Sequence, residues 1–483
     1  MNIKDLNPQA IWKNFYLLTQ VPRPSGHMEK IQQFLLGWAA ERGIEAFKDA
    51  GENIVMRKPA TKGMEGRKAV TMQAHMDMVP QKADDSTHNF ETDPIETWID
   101  GEWVRTRGTT LGADDGLGVA TIMAVLEADD LAHGPIEGFI TADEETTMYG
   151  VNHMVEGTLK GDYLLNLDNE TEGQFVIGSA GGINLTAEKN YTPVTPCGDS
   201  ALRIVLQGLC GGHSGLEINE GRANANKLMA RIVRQAILKH NAQIASWEGG
   251  NMRNAIPRSA NVVVVLSKAN VAALKADVAE WEMMFKTEYE GIENALTIEV
   301  KDVEVPSTAM PKEMQLGVVG AITACANGVM RFIPHIDGVV ETSSNLAIVT
   351  IADGKVFFKD LVRSSLRSQR DYCVEALTSC FEMIGMKVET DGAYTEWTPA
   401  LKNELAELMG NVYKELFGNE PEVQVIHAGL ECSIIGAMYP HMDIVSFGPT
   451  IRSPHTPSEC CHIPSVEKYW NFVTTVLARV PKK

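Results

Sequence analysis

The sequence has 483 residues, 44% of them hydrophobic, which is more than a single core holds, so two or more domains are expected. Its 63 acidic against 43 basic residues leave a net charge of −20, which argues against any partner bound by phosphate neutralisation, nucleic acid above all. No apolar run approaches the roughly 20 residues of a membrane span, and eight cysteines without a C-x-x-C ladder argue against a disulfide framework.

The opening stretch "MNIKDLNPQAIWKNFYLLTQ" carries Lys4, Asp5 and Lys13 and lacks the apolar core and cleavage site of a secretory signal, so a cytoplasmic protein is expected. Helical patterns over 9–19 and 28–42 precede strands near 53–57 and 69–78. In "TMQAHMDMVPQ", residues 71 to 81, the period of two puts Val70, Met72, Ala74, Met76 and Met78 on one face and Thr71, Gln73, His75 and Asp77 on the other. After "GTTLGADDG", Val119, Ile122, Met123 and Leu126 recur at helix spacing, and strands follow near 136–142 and 162–167. This is α/β order, which predicts a mostly parallel sheet flanked by helices.

Residues 178 to 200, "GSAGGINLTAEKNYTPVTPCGDS", mix Gly, Pro, Ser and Thr and read as a crossing between domains. The middle section then shows strands near 201–208, 260–267, 296–302, 346–351 and 355–363, and helices near 222–239, 269–285, 312–326 and 368–384. Its β-α-β rhythm comes twice, which predicts two similar α/β units in tandem. From about 395 a helix (400–416) and a strand (442–448) return to the style of the first section. The expected organisation is one α/β domain in two parts, 1–183 and 395–483, with an inserted α+β domain over 184–394.

Polar residues cluster where predicted strands end or helices begin: His75 and Asp77, Asp114 and Asp115 in "GADDG", Glu144 and Glu145 in "TADEET", Asp168 in "LNLDNE", His455 and Glu459 in "SPHTPSE". The carboxyl ends of strands form the ligand crevice of an open α/β sheet, so these clusters should converge. Each alone fits an ordinary role as helix cap, turn residue or solvated charge. Gathered, they would repel one another unless cations neutralised them. Two histidines with several carboxylates and no thiolate suit zinc, with manganese or cobalt as substitutes, and the ligands are too many for one tetrahedral ion. The chain shows neither the G-x-S-x-G of a serine hydrolase nor the G-x-x-x-x-G-K-[ST] of a phosphate-binding loop.

The motifs "HMD", "GADDG", "DEE", "LDNE" and "PHTPSE", in this order, resemble those of the co-catalytic metallopeptidases that include carboxypeptidase G, aminoacylase, the bacterial tripeptidase and the cytosolic dipeptidases. Within that family "PRPSGHMEKI", "GTTLGADDGLGVA", "HAGLEC" and "IRSPHTPSE" read like stretches of the aminoacyl-histidine dipeptidases. The resemblance implies a zinc-peptidase-like catalytic domain with a lid and two divalent ions. Asp114 would bridge them, His75 and Asp168 would complete one site, and Glu145 and His455 the other. It further implies that Asp77 orients His75 and that Glu144 is the general base. His213 in "CGGHSGLEINEGRANA", Asn254 in "MRNAIPR" and Arg363 in "KDLVRSS" would contact substrate, with His427 and Glu431 of "HAGLECS" lining the pocket. The implied activity is hydrolysis of Xaa-His dipeptides, β-alanyl-histidine included. A tripeptidase or an N-acyl amino-acid amidohydrolase is the alternative, and a non-catalytic metal-binding protein on the same scaffold a more distant one, disfavoured by the presence of Glu144 and Asp77. Small peptides are the implied partners, together with a homodimer that a two-unit lid could make dispensable.

Overall fold

The computed structural model describes residues 2–334, 336–400 and 402–483. The chain divides into two compact units: residues up to Gly178, Pro399–Gln424 and Leu430–Lys483 form the first, and Ser179–Thr398 with Val425–Gly429 the second. The crossings thus fall a few residues away from the expected 183/184 and 394/395, and the short return Val425–Gly429, which carries His427, has no counterpart in the sequence reading. Among the described residues no helix is long and apolar enough to cross a membrane.

At the centre of the first unit four parallel strands run in the order Ile136–Thr141, Val70–His75, Tyr163–Asn166, Asp443–Ser446. Ile54–Lys58 and Gln174–Ser179 pair antiparallel on either side of these four. Central position explains strand Val70–His75: all six residues are buried, so its polar face is buried too. Val70, Met72 and Ala74 join one apolar core with Ile11, Trp12, Phe15 and Leu18 of helix Gln9–Thr19 and with the helices Ala113–Glu127, Glu404–Phe417 and Ile463–Arg479. The opposite face is bound by polar side chains: Thr71 Oγ1 donates to Glu137 at 3.1 Å and Gln73 Nε2 to Glu431 at 2.6 Å. Buried polar groups persist only when paired in this way.

The second unit is one nine-stranded sheet, and its strand pairs are antiparallel. Its first half is a β-α-β-β-α-β unit: Ser200–Gln207, helix Ala225–His240, Gln243–Gly249, Ala260–Leu266, helix Lys268–Glu288, Thr297–Val303. The second half has the same plan: Gly181–Asn190, helix Lys312–Ala324, Val340–Ala352, Lys355–Ser364, helix Arg367–Glu382, Lys387–Tyr394. Strand order in the two halves is mirrored about the junction of Gln243–Gly249 with Val340–Ala352, where Trp247 pairs with Ile351. The two halves are therefore nested rather than in tandem, because the first strand of the second half precedes the whole first half. That strand lies in the stretch read as a crossing. Its glycines and polar residues masked an alternation of Ile183, Leu185 and Ala187, which pack into the core shared by both halves.

Candidate active site

His75 stands at the carboxyl end of the central strand. Its Nδ1 lies 3.1 Å from the backbone oxygen of Asp77 and 3.5 Å from Asp77 Oδ1, so Nδ1–H is the donor there. In the neutral ring this leaves Nε2 as an acceptor, yet it faces two further acceptors, Asp114 Oδ1 at 3.1 Å and Asp168 Oδ1 at 3.4 Å. Three acceptors aimed at one point call for a proton or a metal cation between them. The second oxygen of Asp114 repeats the arrangement: His455 Nε2 is 3.0 Å from Asp114 Oδ2 and 2.9 Å from Glu145 Oε1. The ligand atoms of His75, Asp114 and Asp168 lie within 4.8 Å of one another, as do those of Asp114, Glu145 and His455. Asp114 belongs to both groups, the position of a bridging carboxylate.

The same crowding of carboxylates around the two rings shifts the titration of the cluster. Hydrogen bonds donated to Asp114 and then to Glu145 push the His455 imidazole up to about 11. Burial alone would lower His75, but Asp168, Asp114 and Asp77 outweigh it and hold the ring well above its ordinary value. Burial raises the Glu144 carboxyl well above the carboxylate range, helped by Asp168, Glu431 and Glu145 and opposed by His75. Glu144 also comes within 4.8 Å of the ligand atoms of His75 and Glu145. The residues present fit two divalent ions, hard enough for carboxylate oxygens and content with imidazole.

Asp77 does more than orient His75. Its Oδ1 accepts the backbone N–H of Glu144 at 3.0 Å, and its Oδ2 accepts Ser25 Oγ at 2.7 Å and the N–H of Glu145 at 3.3 Å. One buried carboxylate thus fixes a ligand on one strand and the Glu144–Glu145 segment after the next. Asp143, just before that segment, has left-handed backbone (φ 55°), as has His455 (φ 58°). Such non-glycine conformations are held against strain, and both here adjoin the convergent cluster. Asp143 is tied by the N–H of Gly26 to its Oδ1 at 2.8 Å and by Thr146 Oγ1 to its Oδ2 at 2.5 Å.

Two supporting residues carry no role in the sequence reading. Glu459, noted there only as a neighbour of His455, accepts the N–H groups of Leu111 (2.7 Å), Gly112 (3.0 Å), Ala113 (2.8 Å) and Asp114 (3.3 Å), clamping the loop that presents Asp114. Arg23 is buried and donates to the oxygens of Met76 (3.1 Å), Asp77 (3.0 Å) and Gly112 (2.5 Å), tying the end of the His75 strand to the same loop. Gly112 has φ 67°, and a Cβ there would stand 2.6 Å from Arg23 Nη2, so the first glycine of "GADDG" serves the arginine. We expect Arg23→Lys, which keeps the charge and loses the planar fork, to weaken metal binding by roughly 10- to 100-fold in a chelator-competition titration. Unchanged affinity would reduce Arg23 to packing.

Of the remaining sequence candidates, Glu431 heads helix Glu431–Met438 in the first unit, buried. Its Oε2 accepts Gln73 Nε2 at 2.6 Å and Thr141 Oγ1 at 2.7 Å, and burial pushes its carboxyl up to about 8. The other four lie in the second unit. His213 Nδ1 accepts the N–H groups of Gly215 (3.2 Å) and Leu216 (3.0 Å), which places the ring proton on Nε2, 3.5 Å from Arg363 Nη2. A Cβ on Gly215 would meet the His427 carbonyl oxygen, the His213 ring and Arg363 Nε at 2.1, 3.0 and 3.2 Å, so these three converge over one glycine. His427 is buried with Nε2 2.7 Å from Ser343 Oγ, and burial followed by the charge of Arg363 lowers its pKa to about 3. Asn254 is exposed in the turn beside His213, its backbone oxygen accepting the Ser214 N–H at 2.9 Å.

The model of peptidase family M20/M25/M40 matches residues 71–479, a span holding all five converging residues. The chain belongs to this family. It is a metallopeptidase, as the motif resemblance implied. Cytosol non-specific dipeptidase of Escherichia coli K12 is 40% identical over 482 residues, covering all of this chain and 99% of that protein. A crystal structure of aminoacylhistidine dipeptidase from Vibrio alginolyticus superposes with a TM-score of 0.94 at 40% identity, covering 100% of this chain and 99% of the other. A tripeptidase of Staphylococcus aureus, 16% identical with a TM-score of 0.56 over 98% of this chain and 99% of its own, shares the fold.

Proposed function

We propose that this family member is a cytosolic dipeptidase that cleaves short dipeptides, Xaa-His among them, with two zinc ions. The observation that carries the reading is Asp114, one oxygen at His75 and the other at His455; the two full-length relatives, both named dipeptidases, direct it to substrate. His75, Asp168, Glu145, His455 and Asp114 would hold two divalent ions, which would supply Lewis-acid polarisation of the scissile carbonyl and acidify a water. Glu144 takes the proton of the attacking water and returns it to the leaving amine. Asp77 keeps Glu144 in place through its backbone N–H.

His213, Asn254, Arg363 and His427 contact the substrate in this reading. Among the described residues no carboxylate pairs with Arg363, and the His213 Nε2–H donor sits 3.5 Å from Arg363 Nη2. Two donors that face each other want one shared acceptor, which a substrate carboxylate or carbonyl oxygen provides. His427 stays neutral beside them, and Asn254 offers an exposed amide at the same turn. The zinc-loaded protein should hydrolyse dipeptides, and a screen including other dipeptides, tripeptides and N-acyl amino acids tests this; a preference for either of the last two overturns it. Light scattering tests the accompanying homodimer, which a single-chain mass overturns.

A further inference from the structure

Arg363 and Tyr394 are the Cα partners of Gly182 on its two sides, so the three residues form one row across strands Lys355–Ser364, Gly181–Asn190 and Lys387–Tyr394. Residues in such a row project from the same face. The flanking strands stand about 9 to 10 Å apart, two inter-strand spacings. Tyr394 spans that gap by lying over Gly182: a Cβ on Gly182 would come 2.4 Å from Cζ and Oη of the tyrosine. Its Oη accepts a hydrogen bond from Arg363 Nη1 at 2.5 Å.

The row depends on a register shift. From Lys387↔Glu188 to Asp391↔Asn184 the pairing is regular, and regular continuation would set Ala393 opposite Gly182. One extra residue, with Gly392 at φ 59°, brings Tyr394 there instead. A bulge in one strand and a missing side chain in the next thus serve one contact, the phenol on the guanidinium.

The choice of a phenol has a chemical consequence. A buried arginine is commonly oriented by Asp or Glu, which neutralises it and competes with any anionic ligand. A phenol fixes one edge of the guanidinium and leaves the full charge. The other edge, Nη2 beside His213 and an unpartnered Nε, remains for a ligand.

We infer that Tyr394, seated on Gly182, is a positioning residue that aims Arg363 at the carboxylate of the substrate. This rests on the reading of Arg363 as the carboxylate holder. Kinetics on a dipeptide with a free carboxylate and on its C-terminal amide, the amide serving as competitive inhibitor where it is not cleaved, test both. Tyr394→Phe keeps the ring and loses only the hydroxyl. It should raise KM for the acid by about tenfold, the scale of one charge-assisted hydrogen bond, with kcat within twofold and no change toward the amide. Tyr394→Glu, which places a carboxylate on Arg363, should raise the acid KM further. A merely structural tyrosine would affect acid and amide alike. Tyr394→Phe with a normal acid KM, while Arg363→Ala raises it at least tenfold, overturns the inference alone. Arg363→Ala with a normal KM overturns the underlying reading as well.

Discussion

Glu144→Ala protein is expected to retain both metals and substrate affinity while its kcat falls by at least about 10²- to 10⁴-fold. The carboxyl of Glu144 lies near the candidate ligand atoms of His75 and Glu145; in the proposed assignment the other five residues hold the metals, so its loss would remove a proton carrier and no ligand. Its backbone is held from outside, by Asp77, and the segment should therefore keep its shape in the variant. Glu144→Asp should be impaired too, since proton transfer needs contact at roughly 2.6 to 3.2 Å and one methylene less withdraws the carboxylate from it. Metal analysis together with steady-state kinetics checks this. Two bound metals with near-normal turnover would assign the base to another group.

Asp114→Ala should be the most damaging ligand change. Each of the other four proposed ligands lies in only one of the two convergent groups, whereas the oxygens of Asp114 meet His75 on one side and His455 on the other. We expect the purified variant to carry neither metal in stoichiometric amount and to lose activity. It should still fold, because Glu459 holds the loop through backbone N–H groups that the substitution leaves intact. Circular dichroism beside metal analysis separates the two effects, and a variant with two metals bound would remove Asp114 from the bridge.

The converging cluster was legible because its chemistry rests on residue types that are costly to gather without a reason. His75, Asp114, Glu145, Asp168 and His455 stand in short motifs at strand ends, where periodicity and the rule for open α/β sheets already place a crevice. Arg23 was not legible, since its partners are three backbone oxygens and nothing in "PRPS" tells a buried arginine from a solvated one. The clamp of Glu459 is hidden for the same reason. Tyr394 is set by a one-residue register shift, which no local pattern reveals. In the fold, strands Gln243–Gly249 and Lys387–Tyr394 escaped because they hold few apolar residues; pairing with longer neighbours, not propensity, makes them strands.

The nested plan of the second unit bears on how the polypeptide is made. A chain leaving the ribosome delivers strand Gly181–Asn190 first, but both its sheet neighbours, Lys355–Ser364 and Lys387–Tyr394, come from the far side of the intervening half. At about 5 to 20 residues per second the strand waits roughly 10 to 30 s with two bare edges. Ser200–Val303 meanwhile contains all four strands of its own half and can close as it emerges. Lys189 and Glu188 at the end of the waiting strand, and the glycines at its start, are poor material for pairing with another nascent chain.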